Sequence, residues 1–171
     1  MFIRLLLPSV AILLFLIEPV FASFSGIEMF DRILYLVPRF LFMYLLFLAV
    51  YYDRKKSIIY GVVFGLLYDV FYIDIIGLYA VLYPLFCLFI SQIVKYIQQS
   101  LPVVTILTIF FVSLLEFVIY SFFYLISFTS IGIEEFLLSR LLPTIFSNLL
   151  FLILLGWVFK YFIKTRKLQS V

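Results

Sequence analysis

Residues 34–56 read LYLVPRFLFMYLLFLAVYYDRKK, a stretch from Leu34 to Tyr52 with one charge, Arg39, closed by Arg54, Lys55 and Lys56. A helix crossing a bilayer needs about 20 mostly apolar residues, because the hydrocarbon core is roughly 30 Å thick and each residue rises about 1.5 Å. The stretch meets that length. The basic run behind it is the kind of positive charge that stays on the cytoplasmic side. Apolar spans with charge-sorted ends recur along the chain. They predict an all-α integral membrane protein, a six-transmembrane-helix bundle in one domain over residues 1–171 with both termini cytoplasmic.

Composition points the same way. Hydrophobic residues make up 67% of the chain and charged residues 12%, whereas a soluble domain keeps roughly a quarter of its residues charged to cover its surface. Lipid is therefore the expected solvent. No Pro/Gly/Ser-rich linker divides the sequence, and no internal repeat stands out. The 23 Phe and 13 Tyr suit lipid-facing and interfacial surface. No basic stripe interleaved with aromatics argues for nucleic acid. Histidine is absent, which removes imidazole acid–base chemistry and most zinc sites. The single cysteine, Cys87, lies in an apolar run and reads as a small buried hydrophobe. No phosphate loop or metal-ligand spacing is present, so neither catalysis nor a cofactor is expected. Asp69 and Asp74 share one short stretch at the outer membrane edge and give no basis for a paired-carboxylate protease.

The expected spans are roughly 5–24, 34–52, 57–72, 77–94, 102–128 and 137–162. Arg4, Arg54, Lys55, Lys56, Lys95, Lys160, Lys164, Arg166 and Lys167 fall on one side of this layout. The opposite connections hold Glu28, Asp31, Arg32, Asp74, Glu134 and Glu135. Nine basic residues against one puts the first side in the cytoplasm. Strands are not expected, since the runs lack barrel alternation. Residues 1–22 also resemble a secretory signal ending Val20-Phe21-Ala22, although only a short loop separates them from the next span.

Polar residues inside the spans carry a cost of roughly 2.5–3.5 kcal/mol per charge on insertion scales. They are Glu18, Arg39, Asp69, Glu116 and Arg140, joined by the uncharged Asn148. Counting along each span crowds the ionisable groups into the outer half, with Glu116 and Asn148 nearer the middle. Three acids and two arginines there can pair almost completely. Such a cluster either orients helices or forms a site for a ligand or partner. Gly61, Gly65 and Asp69 recur every four residues on one helical face, the small-residue pattern that lets a second helix approach closely. Tyr68 beside them can offer a hydroxyl to a carboxylate. Of the prolines Pro8, Pro19, Pro38, Pro84, Pro102 and Pro143, the third and last adjoin intramembrane arginines, so freed carbonyls are expected to meet guanidinium groups.

Leu36-Val37-Pro38-Arg39-Phe40, the run Gly61 to Asp69 continuing to Gly77-Leu78-Tyr79, Arg140-Leu-Leu-Pro143-Thr144 with Asn148, Glu18 and Leu115-Glu116 together resemble the MreD family, rod shape-determining membrane proteins of bacteria. The resemblance covers nearly the whole chain. It implies a non-catalytic scaffold of the cell-wall elongation complex that supports peptidoglycan synthesis. The partners implied are MreC, the actin-like MreB, RodA and a class B penicillin-binding transpeptidase. It also implies a fold close to the substrate-binding S-components of energy-coupling-factor vitamin transporters, which makes such a subunit the main alternative. The basic rim, Arg54 to Lys56 and Lys160 to Lys167, either signals topology alone or contacts anionic membrane lipid.

Overall fold

Every residue of the helix Phe40–Tyr51 is buried, none more than 8% exposed. A helix apolar on all sides must be surrounded, and this one, α2, is the axis of the molecule. The computed structural model describes residues 2–24, 26–29 and 32–168. Asp31, counted above among the connection charges, lies outside them, as do the side chains of Arg4 and Arg32.

In chain order, α1 (Phe2–Ser23) leads to a hairpin of β1 (Gly26–Met29) and β2 (Arg32–Tyr35). The central α2 follows, then α3 (Arg54–Tyr68), which runs on as a π-helical turn, Asp69–Ile73. Next come α4 (Leu78–Ile93) and α5 (Leu101–Leu125). Last are α6 (Ile133–Phe136), a second π turn (Leu137–Leu141) and α7 (Leu142–Leu168), which form one long helical stretch. Around α2 pack α1, α3, α4, α5 and α7.

The protein is thus mostly helical, and four stretches are long and apolar enough to cross a membrane: Leu6–Ser23, Arg54–Ile73, Leu101–Leu125 and Ile133–Leu168. The other two apolar helices are shorter, 12 residues for α2 and 16 for α4. At 1.5 Å per residue α2 is only about 18 Å long. Its neighbours cover it, so it has no lipid contact to match.

The hairpin is a departure from the strictly helical expectation. β1 and β2 pair antiparallel with Gly26 opposite Tyr35 and Ile27 opposite Leu34. The span expected to begin at 34 becomes helical only at Phe40. Pro38 explains the delay: it lacks an N–H, and its ring disfavours helical geometry at the preceding residue, Val37. Apolar content alone had placed Leu34 and Tyr35 in the helix.

Helices α3 and α4 pack most closely, and glycine permits it. A Cβ at Gly61 would lie 2.9 Å from the backbone nitrogen of Pro84, and one at Gly65 would collide with the Tyr79 carbonyl. Between these helices the chain reverses through Asp74 and Gly77, both in left-handed conformations (φ 59° and 110°). Gly77 adopts this region without a Cβ penalty.

Candidate functional site: a buried ion network beside an open cavity

Residues 36–39 link β2 to α2 outside any helix or strand, and such a segment inside a membrane protein needs partners for its backbone. One face of α7 supplies them. Thr144 Oγ1 accepts from Val37 N at 3.2 Å and donates to the Tyr35 carbonyl at 3.1 Å. One turn on, Asn148 Oδ1 accepts from Arg39 N at 2.8 Å while its Nδ2 donates to the Val37 carbonyl at 2.8 Å. Two polar side chains four residues apart thus do the work of a neighbouring strand. Of the carbonyls beside prolines expected to meet guanidinium groups, that of Val37 before Pro38 meets this carboxamide instead, and both arginines are turned towards carboxylates.

Arg39, held there at the head of α2, is 2% exposed. Its Nε donates to Glu116 Oε1 at 2.6 Å and its Nη2 lies 2.5 Å from the same oxygen. Arg140 Nε donates to the other oxygen of Glu116 at 3.0 Å. Glu116 on α5 is therefore shared by two arginines, one from the α2 end and one from the π turn before α7. On the far side of Arg39, Nη1 donates to the Tyr68 hydroxyl at 3.2 Å and lies 3.8 Å from Glu18 Oε1. Tyr68 in turn donates to that oxygen at 2.9 Å. Glu18 Oε2 accepts from the amide of Leu41, in the first turn of α2, at 3.0 Å, where the helix dipole favours a negative charge. Tyr79 completes the enclosure, its ring centroid 5.5 Å from the Arg39 guanidinium carbon.

The structure thus brings Glu18, Arg39, Tyr68, Glu116, Arg140 and Asn148 together, and it joins α1, the segment before α2, α3, α5 and the start of α7. Two acids balance two arginines. Glu116, expected nearer the middle of its span, sits level with both.

Asp69 stands apart, which corrects the expectation of three acids in one cluster. Its carboxylate accepts from the amides of Gly77 (2.8 Å), Tyr79 (2.8 Å) and Ala80 (3.1 Å). It caps the start of α4 from the preceding helix, and it needs no guanidinium because three N–H groups already satisfy it.

The network itself is filled rather than hollow: Glu18, Arg39, Glu116 and Asn148 are each 2% exposed or less. Beside it lies a cavity of about 1080 Å³, lined among others by Tyr35, Tyr79, Tyr120, Phe136 and Arg140. Arg140, with 41% of its side chain exposed, connects the two. Glu134 and Glu135 also line the cavity.

At the far end, Asp53 caps α3 by accepting from the amides of Lys55 and Lys56. This holds Arg54, Lys55 and Lys56 at a helix start their charge does not favour. Lys160, Lys164, Arg166 and Lys167 line the end of α7.

Residues 3–165 match the family described as rod shape-determining protein MreD. The chain belongs to the MreD family. Among its relatives is the rod shape-determining protein MreD of Bacillus subtilis, 31% identical over 164 residues that cover 96% of this chain and 95% of that one. Another is the cell shape-determining protein MreD of Streptococcus pneumoniae, 26% identical over 130 residues, 75% and 79% of the two chains. No solved structure matches. The family is one of shape-determining proteins, and its match covers the entire ion network, the hairpin and the cavity.

Sequence reasoning missed three parts of this site. Thr144 belongs to the family-like stretch Arg140–Thr144, but its role rests on backbone partners more than 100 residues away in sequence, which no local pattern reveals. Tyr79 belongs to the family-like run ending Gly77-Leu78-Tyr79, but nothing there places its ring against Arg39. The cavity is made by elements that meet only in the fold.

Proposed function

We propose that this chain is a non-catalytic, six-span scaffold of the cytoplasmic membrane in bacterial cell-wall elongation, acting in cell shape with its termini inside. The observation that carries the reading is the family match over residues 3–165. The ion network supports it physically. Buried charges that satisfy one another across five segments hold a fixed shape. The distribution of basic residues supports the orientation. It is read with the short helices α2, enclosed, and α4, partly exposed, as the second and fourth spans.

MreC is the partner expected at the hairpin end, where Ile27, Ile33 and Tyr35 are exposed by 44%, 47% and 43%. MreB, RodA and a class B penicillin-binding transpeptidase are expected within the same assembly. The test is affinity purification from native membranes in mild detergent, with identification of the proteins that accompany the chain. Recovery of MreC and the wall synthases, reduced by Ile27→Ser with Ile33→Ser, supports the scaffold and its docking end. Retention of MreB after neutralising the four tail charges would count against a contact there.

The cavity favours a second reading, a substrate-binding subunit like an S-component of an energy-coupling-factor transporter. At about 1080 Å³ it is large enough for a small organic ligand. Recovery of a coupling membrane subunit with ATPases, in place of MreC, would select that reading.

A further inference from the structure

At the end of the molecule away from the ion network, α7 turns two ammonium groups onto one aromatic ring. Lys160 and Lys164, one helical turn apart, each hold Nζ 5.6 Å from the ring centroid of Tyr51, the last residue of α2. Like charges at this spacing repel. Among the described residues neither lysine is in an ion pair, since every one found involves Glu18 or Glu116. Tyr51 is 2% exposed and its hydroxyl has no hydrogen-bond partner, an unusual condition for a buried polar group. Two ammonium groups and an unpartnered phenol hydroxyl therefore gather at one ring.

The surroundings fix the depth. Trp157 and Tyr161 stack with centroids 5.4 Å apart on the same stretch of α7, exposed by 63% and 62%. Exposed tryptophan and tyrosine gather at the level of lipid headgroups. Leu154, 70% exposed, continues this face towards the bilayer interior.

We infer that Tyr51, Lys160 and Lys164 form a seat for the phosphate of an anionic membrane lipid, with its acyl chains along the exposed face of α7. A phosphate offers the several acceptor oxygens that two ammoniums and a phenol require. It draws the ammoniums off the ring face towards the ring edge, where the hydroxyl donates. Arg166 and Lys167 in the last turn add positive charge, which selects a lipid with net negative charge over a zwitterionic one. The inference rests on the membrane reading above, which puts this seat in the cytoplasmic leaflet.

The test uses the full chain in nanodiscs of phosphatidylcholine containing some phosphatidylglycerol, with bound lipids counted by native mass spectrometry. Nanodiscs offer both leaflets, so binding is read whichever way the chain is oriented. Failure of the scaffold reading appears separately, in the copurification experiment. The wild-type chain should retain one phosphatidylglycerol. K160Q/K164Q should weaken retention by about fivefold per lysine, and Y51F, which keeps the ring, by roughly tenfold. K160R/K164R should preserve it, and K55Q/K56Q, which removes the same charge from the other side of the rim, should leave it unchanged. Slow alkylation of the buried Cys87 verifies that each variant is folded. Equal losses in the two glutamine doubles would overturn the seat in favour of diffuse attraction. Undiminished binding by Y51F, or equal retention of phosphatidylcholine, would also overturn it. Displacement by inorganic phosphate at matched concentration would replace the lipid with a soluble anion.

Discussion

Asp69 and Glu116 are both carboxylates at 0% and 1% exposure, and their partners differ in kind. Glu116 holds two guanidinium groups from distant parts of the chain. Asp69 holds three amides from the turn and helix that immediately follow it. One acid fixes how helices assemble, and the other fixes how one helix begins. A buried charge in a membrane protein is therefore defined by what it would strand if removed, not by its depth alone.

The largest effect should come from Glu116→Ala, which leaves the buried Arg39 with Glu18, 3.8 Å away, as its one remaining carboxylate among the described residues. Breaking a buried pair from one side costs about 3–5 kcal/mol. The SDS concentration at the unfolding midpoint should fall, and Cys87, 0% exposed, should alkylate much faster. Replacing all four charges at once, Glu18→Gln and Glu116→Leu with Arg39→Met and Arg140→Met, should cost less than Glu116→Ala alone, because no unpaired charge remains. A quadruple variant weaker than the single one would break that distinction.

Next in size is Gly65→Ala, which forces α3 and α4 apart against the Tyr79 carbonyl. Overpacking of this kind costs about 1–3 kcal/mol, and the collision with backbone rather than side chain puts it at the upper end. Asp69→Asn should cost about 2 kcal/mol, since one amide oxygen replaces two carboxylate oxygens for three donors. Hydrogen exchange sharpens the contrast. Asp69→Asn should release the amides of Gly77, Tyr79 and Ala80, whereas Tyr68→Phe should leave them protected. Tyr68→Phe removes hydrogen bonds to Glu18 and Arg39 and should cost about 1–2 kcal/mol in the same SDS titration. Arg140→Met should be the smallest, within about 1 kcal/mol, because that arginine is 41% exposed and solvent or headgroups screen it.

The charges themselves were legible. Glu18, Arg39, Glu116, Arg140 and Asn148 stand out because an ionisable or amide group in an apolar run is costly wherever it lies. The Gly61, Gly65 and Asp69 spacing marked the face on which α4 packs. The choice of partner was not legible. Counting residues from span ends put Asp69 with the arginines, yet the π turn and the reversal at Gly77 bring three amides to it first. Nor was the hairpin visible, because Leu34 and Tyr35 are as apolar as the helix that follows.

The sequence by itself determined that lipid is the solvent and where the long helices run, because hydropathy and charge act on each segment independently of its neighbours. It also determined family membership, carried by residues spread along the chain. Only the tertiary structure decided that α2 is the enclosed axis, that Thr144 and Asn148 stand in for a strand, and that one carboxylate serves two arginines. Each of these joins residues far apart in sequence, and hydrogen bonding depends on distance and angle, which no local pattern contains.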